Sequence, residues 1–317
     1  MLSLPSDVTG YFFWAALPIG LAALSAYLLY RRNPPRRPEV FRTPRPDGSA
    51  GTPDAVFAAD CKEFERLVNE NPRDFSAWSG WGLALHQLAV RKSGAEADGI
   101  YAEADEKYSA ALALRPDDLP LASHLVRLLY HRGERNGGEA ERQCIIRACD
   151  LAERIVEQNP VEIGRRAHPS YYQLLSAWSS VLYLRTERMP GEETRRLVTE
   201  AVRRLEEAAR AGADSGVIAL GWGSLLFAQA RAAEGPEAVA LFKAAGEKFL
   251  ESELRAPGAG AYNLACVAAR LGNLDECRSW IMKSRQSGAR INWEWTARDP
   301  DLAGVRECDW FRELVAK

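Results

Sequence analysis

Residues 78–116, WSGWGLALHQLAVRKSGAEADGIYAEADEKYSAALALRP, set the interval on which the chain is built. With Pro72 of Asn71-Pro72-Arg73-Asp74 as reference, the next equivalents are Pro116 of Arg115-Pro116-Asp117-Asp118 and Pro160 of Asn159-Pro160-Val161-Glu162, both steps being 44 residues. Ala213 and Pro257 stand at the same step further on. Within each unit a large residue precedes a small one by 23 positions: Trp81 and Ala104, Leu125 and Ala148, Trp178 and Ala201, Trp222 and Ala245. A fixed offset inside a fixed period marks one helical hairpin used repeatedly.

The details of each unit fit two helices in close contact. A small residue follows the large one at Gly82, Ser179 and Gly223, with Val126 the exception, so a second helix can approach closely. That second helix carries a small residue, a bulky one four positions on and a third position three beyond: Ala104, Tyr108, Ala111; Ala148, Ala152, Ile155; Ala201, Leu205, Ala208; Ala245, Phe249, Ser252. This spacing places all three on one helical face. A proline or another breaker follows about a turn later. Trp81, Trp178 and Trp222 are therefore expected between paired helices.

This pattern resembles the tetratricopeptide repeat, whose signature is aromatic-x-x-Leu-Gly, then Ala, Phe/Tyr, Ala and Pro. The resemblance runs from about residue 53 to 290. Four units depart from the family's 34-residue length by about ten residues between the Gly-like and first Ala positions, which lengthens either the helices or the turn. The fifth returns to family spacing, with Leu264, Ala265, Gly272, Cys277, Ile281 and Ser284 at the family positions. The resemblance implies an all-α, right-handed superhelical solenoid of about five hairpins, with helix pairs at 75–115, 118–158, 169–211, 215–255 and 259–287. Residues 54–70 read as the second helix of an incomplete capping unit, with Phe64 and Leu67 at its packing positions. Turns are expected at Ser93-Gly94, at 133–138, at Met189-Pro190-Gly191, at Gly235-Pro236 and at Gly272-Asn273. A surplus at 162–169, with Arg165, Arg166 and His168, reads as an excursion from the array.

Ahead of the array, 1–10 forms a short tail and 11–30 is a 20-residue run without a charge, with Tyr11-Phe12-Phe13-Trp14 at one end and Tyr27 and Tyr30 at the other. About 20 residues span the roughly 30 Å hydrocarbon core, and aromatic residues suit both interfaces. Arg31, Arg32, Arg36, Arg37, Arg42 and Arg45 follow, against Asp7 on the other flank. The positive-inside rule then puts the N-terminus outside and the repeats in the cytoplasm. A bacterial inner membrane is the expected site, with an organellar membrane as the alternative. Five prolines between 34 and 46 mark 31–53 as a linker, whose arginines either only set topology or also touch anionic head groups. At the other end, 291–317 reads as a closing segment like that of many bacterial tetratricopeptide proteins. Asp299 is its N-cap, Pro300 its first helical position, and Leu302, Val305, Trp310, Phe311 and Leu314 its covering face.

Little points to catalysis. The six cysteines stand alone, and His86, His124, His131 and His168 share no metal or triad spacing with carboxylates or cysteines. No glycine-rich phosphate loop follows a strand. No cofactor, metal or small-molecule substrate is expected, and the chain reads as a non-enzyme. From residue 53 on, 35 basic residues face 40 acidic ones, which gives no basic excess for nucleic acid. The working surface implied by the resemblance is the concave groove, lined by Ser79, Leu83 and His86; Ser123, Arg127 and Tyr130; Ser176, Ser180 and Tyr183; and Leu220, Ser224 and Phe227. Only Arg127 is basic, which disfavours the Lys/Asn clamp by which some family members hold a chaperone tail. The expected function is a membrane-anchored scaffold or assembly factor that binds other proteins. The alternative is a targeting receptor that delivers soluble clients to the membrane.

Overall fold

Helix follows helix because apolar side chains recur at three- and four-residue spacing while acid caps and turn glycines interrupt them. The computed structural model describes residues 53–159, 169–211, 216–287 and 293–315. The run 11–30, the linker up to residue 52 and all but Pro169 of the excursion expected at 162–169 lie outside the described residues. Among the described residues there is no strand, and no helix is long and apolar enough to cross a membrane.

The described chain forms two compact units that divide after Leu197. The first holds α1 (Pro53–Glu70), α2 (Phe75–Val90), α3 (Gly94–Leu114), α4 (Leu119–Asn136), α5 (Gly138–Gln158), α6 (Pro169–Arg188) and the start of α7 (Glu192–Arg210). The second holds the rest of α7, then α8 (Gly216–Ala232), α9 (Gly235–Arg255), α10 (Ala261–Arg270), α11 (Leu274–Gln286), the single turn α12 (Trp293–Thr296), a 3-10 helix (Pro300–Val305) and α13 (Asp309–Val315). In the first unit α1 to α6 pack consecutively, and α4 also packs on α2 and α6, so first helices of neighbouring hairpins lie side by side; in the second unit α8 to α11 pack consecutively. The 44-residue step also repeats the caps. The Asp74 carboxylate accepts from the Ser76 and Ala77 amides at 2.8 and 3.0 Å, and Asp118 accepts from Leu121 at 2.9 Å.

The extra residues of the long units lengthen helices rather than turns: α3, α5 and α9 each have 21 residues, whereas α10 and α11 have 10 and 13. The second-helix triads are all buried: Ala104, Tyr108, Ala111; Ala148, Ala152, Ile155; Ala201, Leu205, Ala208; Ala245, Phe249, Ser252; and Cys277, Ile281, Ser284. Trp81 and Trp178 are buried as well. Trp222 differs in being only half-buried, with the Lys248 ammonium 4.1 Å from its ring centroid. Lys107 stands 4.2 Å over Trp81 in the same way, 26 residues on in both hairpins. The lysine shields the indole face while its charge stays at the surface, a cation–π pair.

One local expectation changes and another narrows. In α1 the buried pair is Phe64 and Val68, and Leu67 is only half-buried. A four-residue step is as helical as a three-residue one, and Val68 is the position that α1 turns inward. Gly133 is a buried residue within α4, and the turn falls at Gly137, whose φ of +65° suits a residue without a Cβ. In the closing segment the Asp299 carboxylate caps by accepting from the Asp301 amide at 2.9 Å. The 3-10 helix packs on α10, with Leu302, Val305, Phe311 and Leu314 buried and Trp310 half-buried.

A methyl group on Gly82 would lie 2.5 Å from the Tyr108 ring, and one on Gly223 would lie 2.7 Å from the Phe249 ring. Gly99, exposed in the middle of α3, has nothing within 4 Å of such a methyl. Overpacking a core costs about 1–3 kcal/mol, whereas Gly to Ala in an open helix gains up to about 1 kcal/mol. Gly82→Ala and Gly223→Ala are therefore expected to lower the midpoint of chemical denaturation, and Gly99→Ala to raise it. Equal effects at the three positions would contradict the close approach.

Candidate functional site

Four of the groove serines spend their hydroxyls on their own helices. Ser123 donates to the Pro120 carbonyl at 2.7 Å, Ser224 to Leu220 at 3.0 Å, and Ser79 and Ser180 to Ser76 and Ser176 at 3.2 Å. This back-bonding satisfies the hydroxyl locally and leaves little for a partner to read. His86, Ser123, Ser176, Leu220 and Phe227 are buried, while Ser79, Leu83, Arg127, Tyr130, Ser180, Tyr183 and Ser224 keep partial exposure. Phe227 is a core residue, with its ring 5.1 Å from Phe242 in a T-shaped contact and 6.4 Å from Phe249. Burial does not follow the groove position: of the third positions His86 and Phe227 are enclosed by rings of the partner helix, whereas Tyr130 and Tyr183 stay partly open.

The first unit brings three of the candidate rows together on α2, α4 and α6. His86 lies 5.7 Å from His131 and 6.2 Å from Tyr108, centroid to centroid. Tyr108 stacks on His124 at 6.3 Å, and the Tyr130 ring is 5.4 Å from His131. The Tyr130 hydroxyl donates to Glu134 at 2.7 Å, and Tyr183 on α6 is close enough to act electrostatically on Tyr130. Arg127 Nη2 donates to His124 Nδ1 at 2.8 Å. Leu220, Ser224 and Phe227 belong to the second unit.

Protonation in this cluster follows from burial. Desolvation, then the charge of Arg127, holds His86 well below its ordinary value and brings His124 and His131 down to about 3, so all three are neutral at pH 7. Burial also pulls Arg127 below its ordinary value, although an arginine stays charged at neutral pH. Desolvation and the nearby Glu141 and Glu187 push Glu134 up to about 7 against the Tyr130 hydrogen bond and Arg188. His86 Nδ1, the Tyr108 hydroxyl and His131 Nε2 are buried without a hydrogen-bond partner.

Carboxylates tie the cluster's periphery. Asp105, with its side chain 7% exposed, accepts from Arg132 at 2.6 Å and from both terminal nitrogens of Arg147 at 2.7 and 2.9 Å. Arg135 reaches Asp98 at 2.8 Å and Arg188 reaches Glu141 at 3.0 Å. Among the described residues no group of three or more His, Cys, Asp or Glu side chains is placed to hold a metal. The described cysteines are free thiols, and burial raises Cys61 and Cys149 to about 11, Cys277 to about 12 and Cys266 well above its ordinary value. Thiols of that kind are poor nucleophiles at neutral pH.

Tyr101, Tyr108, His124, His131 and Glu134 were not among the groove candidates. For the tyrosines and Glu134 the sequence carries no signal, and for the histidines only two partial ones. Three of the four histidines fall between residues 86 and 131, and His124 and His131 are seven apart, two helical turns on one face.

No family model matches the sequence, and no curated protein matches it. Among solved structures, a human IFIT1 dimer with PPP-AAAA aligns with a TM-score of 0.51 and 15% identity, over 78% of this chain and 50% of that one. A monomeric IFIT1 mutant with Gppp-AAAA gives 0.49 at 15% identity, covering 78% and 49%. Yeast Tom70 gives 0.29 at 14% identity, covering 83% and 63%. The chain spans about half the length of the IFIT1 structure it matches. The fold is that of a tetratricopeptide-like helical solenoid protein.

Neutral buried imidazoles set a pH dependence. An imidazole held below its unfolded value near 6.5 takes its proton later than the unfolded chain does, so its stabilisation is present above about 6.5 and lost as pH falls. Each contributes a slope of at most ~1.4 kcal/mol per pH unit. Glu134 acts in the opposite direction between 4.5 and about 7, and its partial exposure weakens that effect. The thermal midpoint is expected to drop between pH 7 and 5, and His131→Gln to flatten that drop by about a third. A pH-independent midpoint over this range would contradict neutral burial of the histidines.

Proposed function

We propose that the protein is a membrane-anchored interaction scaffold or assembly factor that holds segments of partner proteins in the groove formed by first helices. The observation that carries this reading is the convergence, within one unit, of partly exposed Arg127, Tyr130 and Tyr183 from neighbouring hairpins over a buried aromatic layer. Aromatic and arginine side chains on a rigid helical support are the usual anchors of protein interfaces. The Tyr and Arg stems are held by packed neighbours, so little side-chain entropy is lost on binding.

The membrane part of the proposal rests on the uncharged run 11–30 and the arginines after it, and the right-handed superhelix on the repeat register. Non-catalytic action is supported by the inert thiols and by neutral histidines that contact rings rather than a nucleophile. A protein rather than a nucleic acid is the partner because acidic residues outnumber basic ones after residue 53 and the groove holds one arginine.

Affinity capture of the detergent-solubilised full-length chain at native abundance is expected to retain stable, stoichiometric membrane-associated subunits. Tyr183→Ala is expected to reduce their recovery without lowering the thermal midpoint. Transient, heterogeneous soluble clients would instead support the targeting receptor.

Topology has a separate readout. A cysteine engineered at exposed Glu157 is expected to react with a membrane-impermeant thiol reagent only after the cells are opened. Reaction from outside intact cells would overturn the cytoplasmic placement.

A further inference from the structure

Arg127 stands apart from the arginines around it. Arg132, Arg135, Arg147 and Arg188 of the same unit each reach a carboxylate within 3.0 Å. Arg127 is less exposed than most surface arginines, yet its one hydrogen bond is to the neutral ring of His124, and among the described residues it has no carboxylate partner. Removing a cation from water without a counter-ion is costly. The layer beneath it does not supply the missing charge. That layer consists of His86, Tyr108 and His131, whose Nδ1, hydroxyl and Nε2 are themselves without partners.

We propose that Arg127, backed by the His86, Tyr108 and His131 layer, is the seat for one carboxylate of an acidic segment of a partner protein. The inference rests on the groove reading above and names the chemistry of its occupant. Charge balance selects the ligand. The guanidinium offers N–H donors beyond the one given to His124, enough for a forked pair to a carboxylate. A monoanion neutralises the single uncompensated charge. A phosphate would bring about two negative charges, and the other arginines of α4, Arg132 and Arg135, are already bound to Asp105 and Asp98. The arrangement also differs from a lysine and asparagine clamp, because the groups around the arginine are rings without charge.

Occupancy has a spectroscopic consequence that a merely structural arginine would not produce. Arg127's charge is one of the influences that keep His124 and His131 unprotonated. A bound carboxylate offsets that charge, so their proton affinity rises on binding.

The test uses the full-length chain in detergent micelles, with ring-labelled histidine followed by NMR through a pH titration. The probes are a blocked tetraglutamate peptide, its tetraglutamine counterpart, inorganic phosphate and the triphosphorylated RNA PPP-AAAA. Tetraglutamate is expected to shift the His124 and His131 resonances and raise their apparent pKa, and tetraglutamine to leave both unchanged. Arg127→Gln is expected to weaken the tetraglutamate response roughly tenfold or more while not lowering the thermal midpoint, since it removes an uncompensated charge. Arg127→Lys, which keeps the charge without the fork, is expected to fall between.

Equal responses to the two peptides, or a tetraglutamate response indifferent to Arg127, overturns the carboxylate seat. A stronger response to phosphate or to the RNA assigns the site to phosphate and overturns it equally. The groove reading fails separately, if affinity capture retains no partner that depends on Tyr183.

Discussion

The fold depends on how closely the second helix of a hairpin can approach the first, and the approach is tightest where the first carries a glycine. At Gly82 and Gly223 the backbone faces the rings of Tyr108 and Phe249 with no room for a methyl group. The partner helix answers with alanine one turn before the ring, Ala104 and Ala245, both fully buried. A gap that narrow lets two long helices share many dispersion contacts, each weak and together large. Where the glycine position holds serine instead, as at Ser179, the hydroxyl is absorbed by the Leu175 carbonyl at 2.8 Å, so polarity does not force the helices apart.

Close packing at the ring leaves the charged side chains to join one hairpin to the next. Asp105 on α3 binds Arg132 on α4 and Arg147 on α5, across the boundary between two hairpins. Glu141 and Glu153 on α5 bind Arg188 on α6 and Arg196 on α7. These bonds add orientation more than energy, since such pairs at partly exposed sites contribute little. In the second unit the same task falls to Glu253, which accepts from the Gly258 and Gly260 amides at 2.9 and 3.0 Å and from Lys283 at 3.2 Å. Asp299 likewise accepts from Tyr262 at 2.7 Å, tying α10 to the start of the 3-10 helix. A buried acid that satisfies backbone amides fixes a turn that apolar contacts alone would leave loose.

Within this frame the polar groups of the first unit fall into two sets with different fates. Those at hairpin junctions found opposite charges. Those along α2 and α4 were enclosed among rings, and there the medium favours neutral forms: imidazole rather than imidazolium for His86, His124 and His131. Arg127 is the member of the second set that cannot become neutral, which is why it differs energetically from its neighbours.

What the sequence by itself determined is the repeat. The 44-residue step, the triads from Ala104 to Ser252, the aspartate cap at 299 and the return to short helices after residue 260 follow from spacing, because periodicity and capping act within a few turns of one chain segment. Which groove positions stay open was decided only by tertiary structure. Phe227 and His86 sit at positions equivalent to Tyr183 and Tyr130, yet they are buried, because exposure depends on what the neighbouring helix places opposite. The histidine cluster was hidden for the same reason: His86 and His131 lie 45 residues apart in sequence and 5.7 Å apart in space. No spacing rule along a single helix reports that contact, since the long hairpins bring the two rings together only after α2 and α4 have packed side by side.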